Sequence, residues 1–276
     1  MNPTDARIVL TGATGGIGRA AAARLVEAGA SLLLVGRSPA KLAAQARELV
    51  HRFGAAAEDR VRWHAADLNQ PDHIARLRDA AAGLRLNVLV LGAGVPSFGA
   101  LQALTPQHLQ QVLQTNLLAP MLLTQALLPA LQRCPRAQLI CMGSALGRIG
   151  LPGFSAYSAS KFGLRGFAEA LRRELADTGV RVQYLGPRST RTAFNDERVE
   201  AYNARTRTAM DAPDAVAAAL LQLLSSEAPE RFLGFPEKLA VRLNGLAPAL
   251  MDRAFVQHRR SLPADTPAST SASTPR

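Results

Sequence analysis

The chain has 276 residues, 48% of them hydrophobic and 19% charged, a size and composition that suit one α/β domain with a sizeable core and exclude a disordered or fibrous chain. The formal net charge of +11 comes mostly from arginines scattered along the chain with no basic run, so it reads as compositional bias, or else as a basic surface for an acidic substrate carrier, a phosphorylated cofactor or an anionic membrane, and predicts no nucleic-acid partner. The cysteines Cys134 and Cys141 and the histidines His51, His64, His73, His108 and His258 lack metal-ligand spacing. Asp5 and Arg7 stand where a secretion leader would be apolar, and no apolar run is long enough to span a membrane. The expectation is a cytoplasmic protein without a metal.

In chain order, apolar runs of strand length alternate with helical patterns. Strands are predicted at 7–11, 31–35, 61–66, 86–91, 138–142 and 180–185. Helices are predicted from about Gly16 to Gly29, over 39–53 and 71–82, over 106–132 but broken or bent near Pro120, and over 154–178. Strands apolar throughout are buried on both faces, and their alternation with helices implies right-handed crossovers. The expected fold class is α/β, a Rossmann-like doubly wound parallel sheet of about seven strands in a single domain. Residues 187–211 are polar and irregular, a helix follows at 213–224, and a short last strand is expected at 231–235. The expected division is a dinucleotide-binding catalytic unit over 1–235, an amphipathic basic appendix over 236–260 interrupted at Pro248, and a Ser/Thr/Pro-rich disordered tail over 261–276. The appendix packs on its own domain or a sister subunit, with a peripheral membrane or acyl-carrier contact as the other reading.

Between the first strand and the first helix stands Thr11-Gly12-Ala13-Thr14-Gly15-Gly16-Ile17-Gly18. Glycines there permit a tight turn and close approach of a pyrophosphate, and the helix N-terminus offers free N–H groups. The second strand ends in Gly36-Arg37-Ser38 with no carboxylate for a ribose 2′-hydroxyl. Arg37, with Arg19 after the loop, suits a 2′-phosphate and points to NADP(H). Asp67 and Leu68, after the third strand, bracket the adenine, or Asp67 caps the next helix.

The fifth strand runs into Gly143-Ser144, and thirteen residues later come Tyr157 and, one helical turn on, Lys161. Phenol and ammonium then share a helix face. As hydride reaches a carbonyl carbon, the oxygen gains charge and needs a proton. A nearby ammonium lowers the phenol's pKa, and Ser144 holds the substrate oxygen. Ser158-Ala159-Ser160-Lys161 also fits an acyl-enzyme motif, but the partner motifs of that chemistry are absent.

With these residues in place, the sequence resembles the classical short-chain dehydrogenase/reductase family over about residues 5–235. The resemblance implies a catalytic Asn116, which fixes the lysine through a water and starts a proton relay. It also implies that Pro187 and Thr192 reach the nicotinamide, with Lys161 on its ribose and Tyr157 beside it. Two departures stand out. The family's Asn-Asn-Ala-Gly is Leu91-Gly92-Ala93-Gly94, which keeps the small Ala93 and Gly94 that let the cofactor lie close. A family glycine becomes Arg188, which alters its loop or reaches an anionic substrate group.

The reading is an NADP(H)-dependent oxidoreductase acting on a small-molecule carbonyl or alcohol, a ketone reductase for an apolar, lipid-like or polyketide-like substrate. The alternative is a non-catalytic NADP(H)-binding regulator or scaffold. The family habit implies a homodimer or homotetramer packed through the two long helices.

Overall fold

The computed structural model describes residues 1–234, 237–247, 249 and 252–262. Seven strands form one parallel sheet in the order β3-β2-β1-β4-β5-β6-β7. They are β1 (Arg7–Thr11), β2 (Ser31–Gly36), β3 (Val61–Ala65), β4 (Val88–Leu91), β5 (Ala137–Met142), β6 (Val180–Gly186) and β7 (Glu230–Phe232). Alternate side chains bury opposite faces, as strand geometry requires. Ile8, Leu10, Leu32, Leu34, Val88 and Val90 pack against α1 (Gly16–Glu27), α2 (Pro39–Phe53) and α8 (Pro213–Ser226). Val9, Leu33, Val35, Leu89 and Leu91 pack against α3 (Pro71–Ala82), α5 (Ala119–Gln132) and α6 (Ser155–Glu174). The expected single-domain doubly wound architecture is therefore present.

Three segments differ from the sequence reading. The helix expected over 106–132 is α4 (Pro106–Leu113), a π-helical segment (Gln114–Leu118) and then α5. The interruption ends just before Pro120, which has no N–H to continue the hydrogen-bond ladder of a chain that is helical on both sides of it. Residues 187–211 contain a helix, α7 (Glu197–Thr206), capped by Asp196, whose carboxylate accepts from the Val199 N–H at 2.9 Å. With only Val199 and Tyr202 as buried apolar anchors, α7 has too few for a hydrophobic period to reveal.

The third difference is confined to the start of the expected tail, just after an appendix that packs on its own domain as the first reading had it. The appendix folds back on the domain as α9 (Glu237–Leu246) and α10 (Val256–Arg260). Leu262 joins a cluster of Phe98, Phe154, Val199 and Tyr202, and the Arg205 guanidinium donates to the Ser261 carbonyl at 2.8 Å. These first two residues of the expected tail are thus packed. Residues 263–276, the break at Pro248 and the strand end at Phe235 lie outside the described residues.

Candidate active site

β1 and β4 are neighbours, and the chain departs from them toward opposite edges of the sheet. Ligands of open parallel sheets bind in the crevice at such a switch point, beyond the strand C-termini. Thr11 closes its floor: its hydroxyl donates to the Val90 carbonyl at 3.2 Å and accepts from the N–H groups of Gly92 and Ala93 at 2.9 and 3.1 Å. Gly12 has φ +68°, and a Cβ on it would stand 2.5 Å from the Gly92 carbonyl oxygen. A Cβ on Gly18 would collide with the Gly12 carbonyl. Backbone packing therefore demands glycine at both positions. Gly15 and Gly16 remain exposed at the head of α1, whose first N–H groups have no intrahelical acceptors. This cradle fits a dinucleotide pyrophosphate. Thr14 borders Gly36 at the end of β2, Ile17 is partly buried against the core, and a Cβ on Gly16 would strike the Thr192 side chain. The loop after β6 thus reaches across to the glycine turn.

The charged groups near the end of β2 divide. The Arg37 side chain is exposed. Arg19 is already paired with Glu48 of α2, both well exposed, a kind of pairing worth little in water and readily exchanged. The Asp67 carboxylate accepts from the Asn69 N–H at 3.1 Å, closing a local turn, while the N-cap of α3 is Gln70. The capping role considered for Asp67 is therefore not the one it takes. The Leu68 side chain is buried in the core.

Beyond β5, the residues carrying chemistry converge. The Lys161 amine is buried and donates to the Met142 carbonyl at 3.1 Å. It lies 5.6 Å from the centre of the Tyr157 ring. Burial pulls the lysine down from 10.5 to about 8. Burial also pushes the Tyr157 phenol up to about 12, with the neighbouring Ser144 hydroxyl acting the other way. The sequence reading had the ammonium lowering the phenol's pKa. In this pocket desolvation dominates, because both groups have lost water and neither is paired with a full opposite charge.

Asn116 is completely buried in the π-helical segment. Such bulges often mark functional sites because the extra residue re-aims a side chain. Its amide donates to the Val95 carbonyl at 3.0 Å and to the Ser160 hydroxyl at 3.2 Å, and its carbonyl accepts from the Val95 N–H at 2.8 Å. The Ser160 hydroxyl in turn donates to the Tyr157 carbonyl at 2.7 Å. Asn116 Oδ1 and Lys161 Nζ both border Gly94, 3.2 and 3.9 Å from where a Cβ on it would stand. Asn116 thus braces the loop after β4 against the helix of Tyr157 and Lys161.

Sequence reasoning missed two supports. Tyr184 of β6 is buried, and its hydroxyl accepts from the Ser144 N–H and donates to the Ser144 carbonyl, both at 3.0 Å. Its ring fills the space that a Cβ on Gly143 or Gly147 would need. A lone tyrosine within the apolar run of β6 was the available signal. The second is Asp211, which accepts two bonds from the Arg188 guanidinium at 3.0 and 2.8 Å and bridges Ser189 and Arg191 through its backbone. Arg188 is thereby engaged within its own loop. Pro187 is buried, and its carbonyl accepts from the Ala145 N–H at 2.7 Å, joining that loop to Ser144.

Comparison with known proteins agrees with this geometry. The short chain dehydrogenase family pattern matches residues 6–203. The chain is 32% identical to a dehydrogenase/reductase SDR family member 7B of Bos taurus, over 93% of this chain and 82% of that one. It is 33% identical to nodulation protein G of Rhizobium sp. (strain N33), over 82% and 91%. A metagenomic short-chain oxidoreductase solved with NADP superposes with a TM-score of 0.68 at 32% identity, covering 83% of this chain and 98% of that one. A short-chain dehydrogenase from Streptomyces avermitilis superposes with a TM-score of 0.75 at 25% identity, covering 90% and 96%. The chain belongs to the short-chain dehydrogenase family of oxidoreductases.

Proposed function

We propose that this oxidoreductase is an NADP(H)-dependent ketone reductase for apolar carbonyl compounds. The observation that carries the reading is the meeting of Tyr157, Ser144 and Lys161 at the C-terminal end of β5, beside the glycine cradle. The nicotinamide supplies the hydride. Tyr157 holds the proton that the developing alkoxide takes up, and at a phenol held near 12 that proton stays in place at neutral pH. The Ser144 hydroxyl orients the substrate oxygen. Lys161 sets the charge beside the phenol and holds the nicotinamide ribose, and Asn116 steadies both through the helix of Tyr157. Gly12, Gly15, Gly16 and Gly18 leave room for the pyrophosphate, and Pro187 and Thr192 reach the nicotinamide.

Support for NADP(H) over NAD(H) comes from the exposed Arg37, with no carboxylate beside it, and from the metagenomic relative solved with NADP. Support for an apolar substrate comes from the rings around the phenol. Phe194 meets Tyr157 edge-on at 6.0 Å, and Phe98, Phe154 and Tyr202 meet one another at tilted or edge-on angles in a second cluster, with Phe154 just ahead of the helix that carries Tyr157. Leu113, Leu118, Met121 and Phe162 are large apolar side chains exposed on α4 to α6, a patch suited to packing a second copy of the chain.

The test is to supply NADPH or NADH with ketones of increasing chain length and follow the reduced-nicotinamide absorbance. Consumption of NADPH, faster with longer apolar ketones, is expected. A preference for NADH, or no consumption with any carbonyl, would overturn the reading.

A further inference from the structure

We propose that the C-terminal appendix is a docking surface for an anionic lipid bilayer, placed at the mouth of the active site. α9 shows two faces. Val241 is buried, and the Asn244 amide donates to the Arg148 carbonyl at 2.7 Å, so this side is anchored. Leu243 and Leu246 lie on the other side, three residues apart and hence neighbours along one stripe. They are 47% and 85% exposed, and Ala249 beyond them is also exposed.

α10 repeats the arrangement. His258 and Phe255 face inward, where the Tyr202 hydroxyl meets His258 Nδ1 at 2.7 Å and the two outer rings lie 5.6 Å apart. Val256, Arg259 and Arg260 are exposed and share the opposite side by their spacing.

Both helices are tied to one short stretch of chain. Asn244 holds residue 148, Tyr202 beneath His258 bonds to the Pro152 carbonyl at 3.4 Å, and the Leu262 side chain fills the space beside Gly153. That stretch leads directly into α6, which carries Tyr157. The outward apolar stripe therefore rises from the rim of the substrate region.

Charge selects the occupant. Between residues 237 and 262 five basic residues stand against two acidic ones, on a chain of net charge +11. A sequence in which apolar residues alternate with basic ones, with Arg259 and Arg260 exposed, matches a surface of anionic headgroups over hydrocarbon. Among the described residues no helix is long and apolar enough to cross a membrane, so the contact is one in the plane of the interface.

The experiment is sedimentation of the full chain with vesicles of phosphatidylcholine alone, or with part of it replaced by phosphatidylglycerol. Binding is expected to the anionic vesicles and to weaken with salt. Leu246→Asp should lower the partition by about tenfold, and Arg259→Glu with Arg260→Glu should remove the preference for anionic lipid. Because Leu246 is so exposed, its variant should retain wild-type melting and turnover of a short water-soluble ketone, so failure here is distinguishable from failure of the proposed reaction. Absence of binding to anionic vesicles, or equal binding by wild type and Leu246→Asp, would overturn the proposal. So would an acyl carrier protein that binds through Leu246 while vesicles do not.

Discussion

The Tyr184 hydroxyl donates to the carbonyl and accepts from the N–H of one and the same residue, Ser144, at 3.0 Å in each direction. A buried phenol on β6 thus does for the end of β5 what a further strand hydrogen bond would do. It fixes the backbone from which the Ser144 hydroxyl reaches Tyr157. Burial drives the Tyr184 phenol well above its ordinary range, so it remains a proton donor at any working pH.

Tyr184→Phe should therefore act at a distance from the chemistry. It leaves the buried Ser144 N–H unpaired, while the Ser144 carbonyl keeps the Gly147 N–H at 3.0 Å, and the lost partner costs about 1–3 kcal/mol in urea unfolding. Turnover should fall as well, because Ser144 loses its fixed position, while cofactor affinity measured by fluorescence titration stays unchanged. A variant with wild-type stability and turnover would leave Tyr184 as packing alone.

Tyr157→Phe removes the proton donor and keeps the ring against Phe194. Loss of a positioned acid costs roughly 10²–10⁴-fold in rate. NADPH consumption with a ketone substrate should drop by that factor with NADPH binding intact. Retained turnover would exclude the phenol from the reaction.

Lys161 connects the site to stability. Its pKa falls from 10.5 to about 8 on burial, so between those values the unfolded chain binds a proton that the folded chain has released. Stability contributed by this group consequently rises with pH across that window. Tyr157 works in the opposite sense above it: raised from 10.0 to about 12, it loses stability as pH climbs from 10 to 12. Lys161→Met should be more stable than wild type near neutral pH by about 1–2 kcal/mol, with the advantage shrinking from pH 8 to 10.5. Thermal melting across that range checks it, and a difference independent of pH would show that the amine carries no burial penalty.

Gly18→Ala tests the cradle. The added methyl meets the Gly12 carbonyl, which is backbone and cannot swing aside. The head of α1 must shift, so a loss of NADPH affinity of at least about tenfold is expected along with lower thermal stability. Gly54→Ala offers a contrast: nothing lies within 4 Å of the new methyl, and only its φ of +75° is strained. It should lose stability without losing cofactor affinity.

Arg37→Ala tests cofactor choice. Removing a charge-assisted contact to a 2′-phosphate should raise the KM for NADPH by about tenfold and leave that for NADH unchanged. Equal effects on both would assign Arg37 to general surface charge.

The positions of the strands along the chain and most helix boundaries were legible in the sequence because each rests on local rules. Apolar runs such as 7–11 and 31–36 must be buried on both faces, and Pro39, Pro71 and Pro213 open helices where a missing N–H is harmless. Tyr157 and Lys161 were legible for the same reason, since one helical turn is a local distance. The glycine turn likewise announced itself through what the backbone alone demands.

Other features depend on residues far apart in the chain and left no local trace. The bonds of Tyr184 to Ser144, of Asp211 to Arg188 and of Asn116 to Val95 join positions 40, 23 and 21 residues apart, so no period or motif within one element contains them. The packed Leu262 is another such case, since its neighbours Phe98 and Tyr202 come from two other segments. The raised phenol and lowered amine are a further instance. Chemical identity and spacing told which groups meet, but the loss of water around them, which sets their proton affinities, exists only once the loops after β4, β5 and β6 have closed over the site.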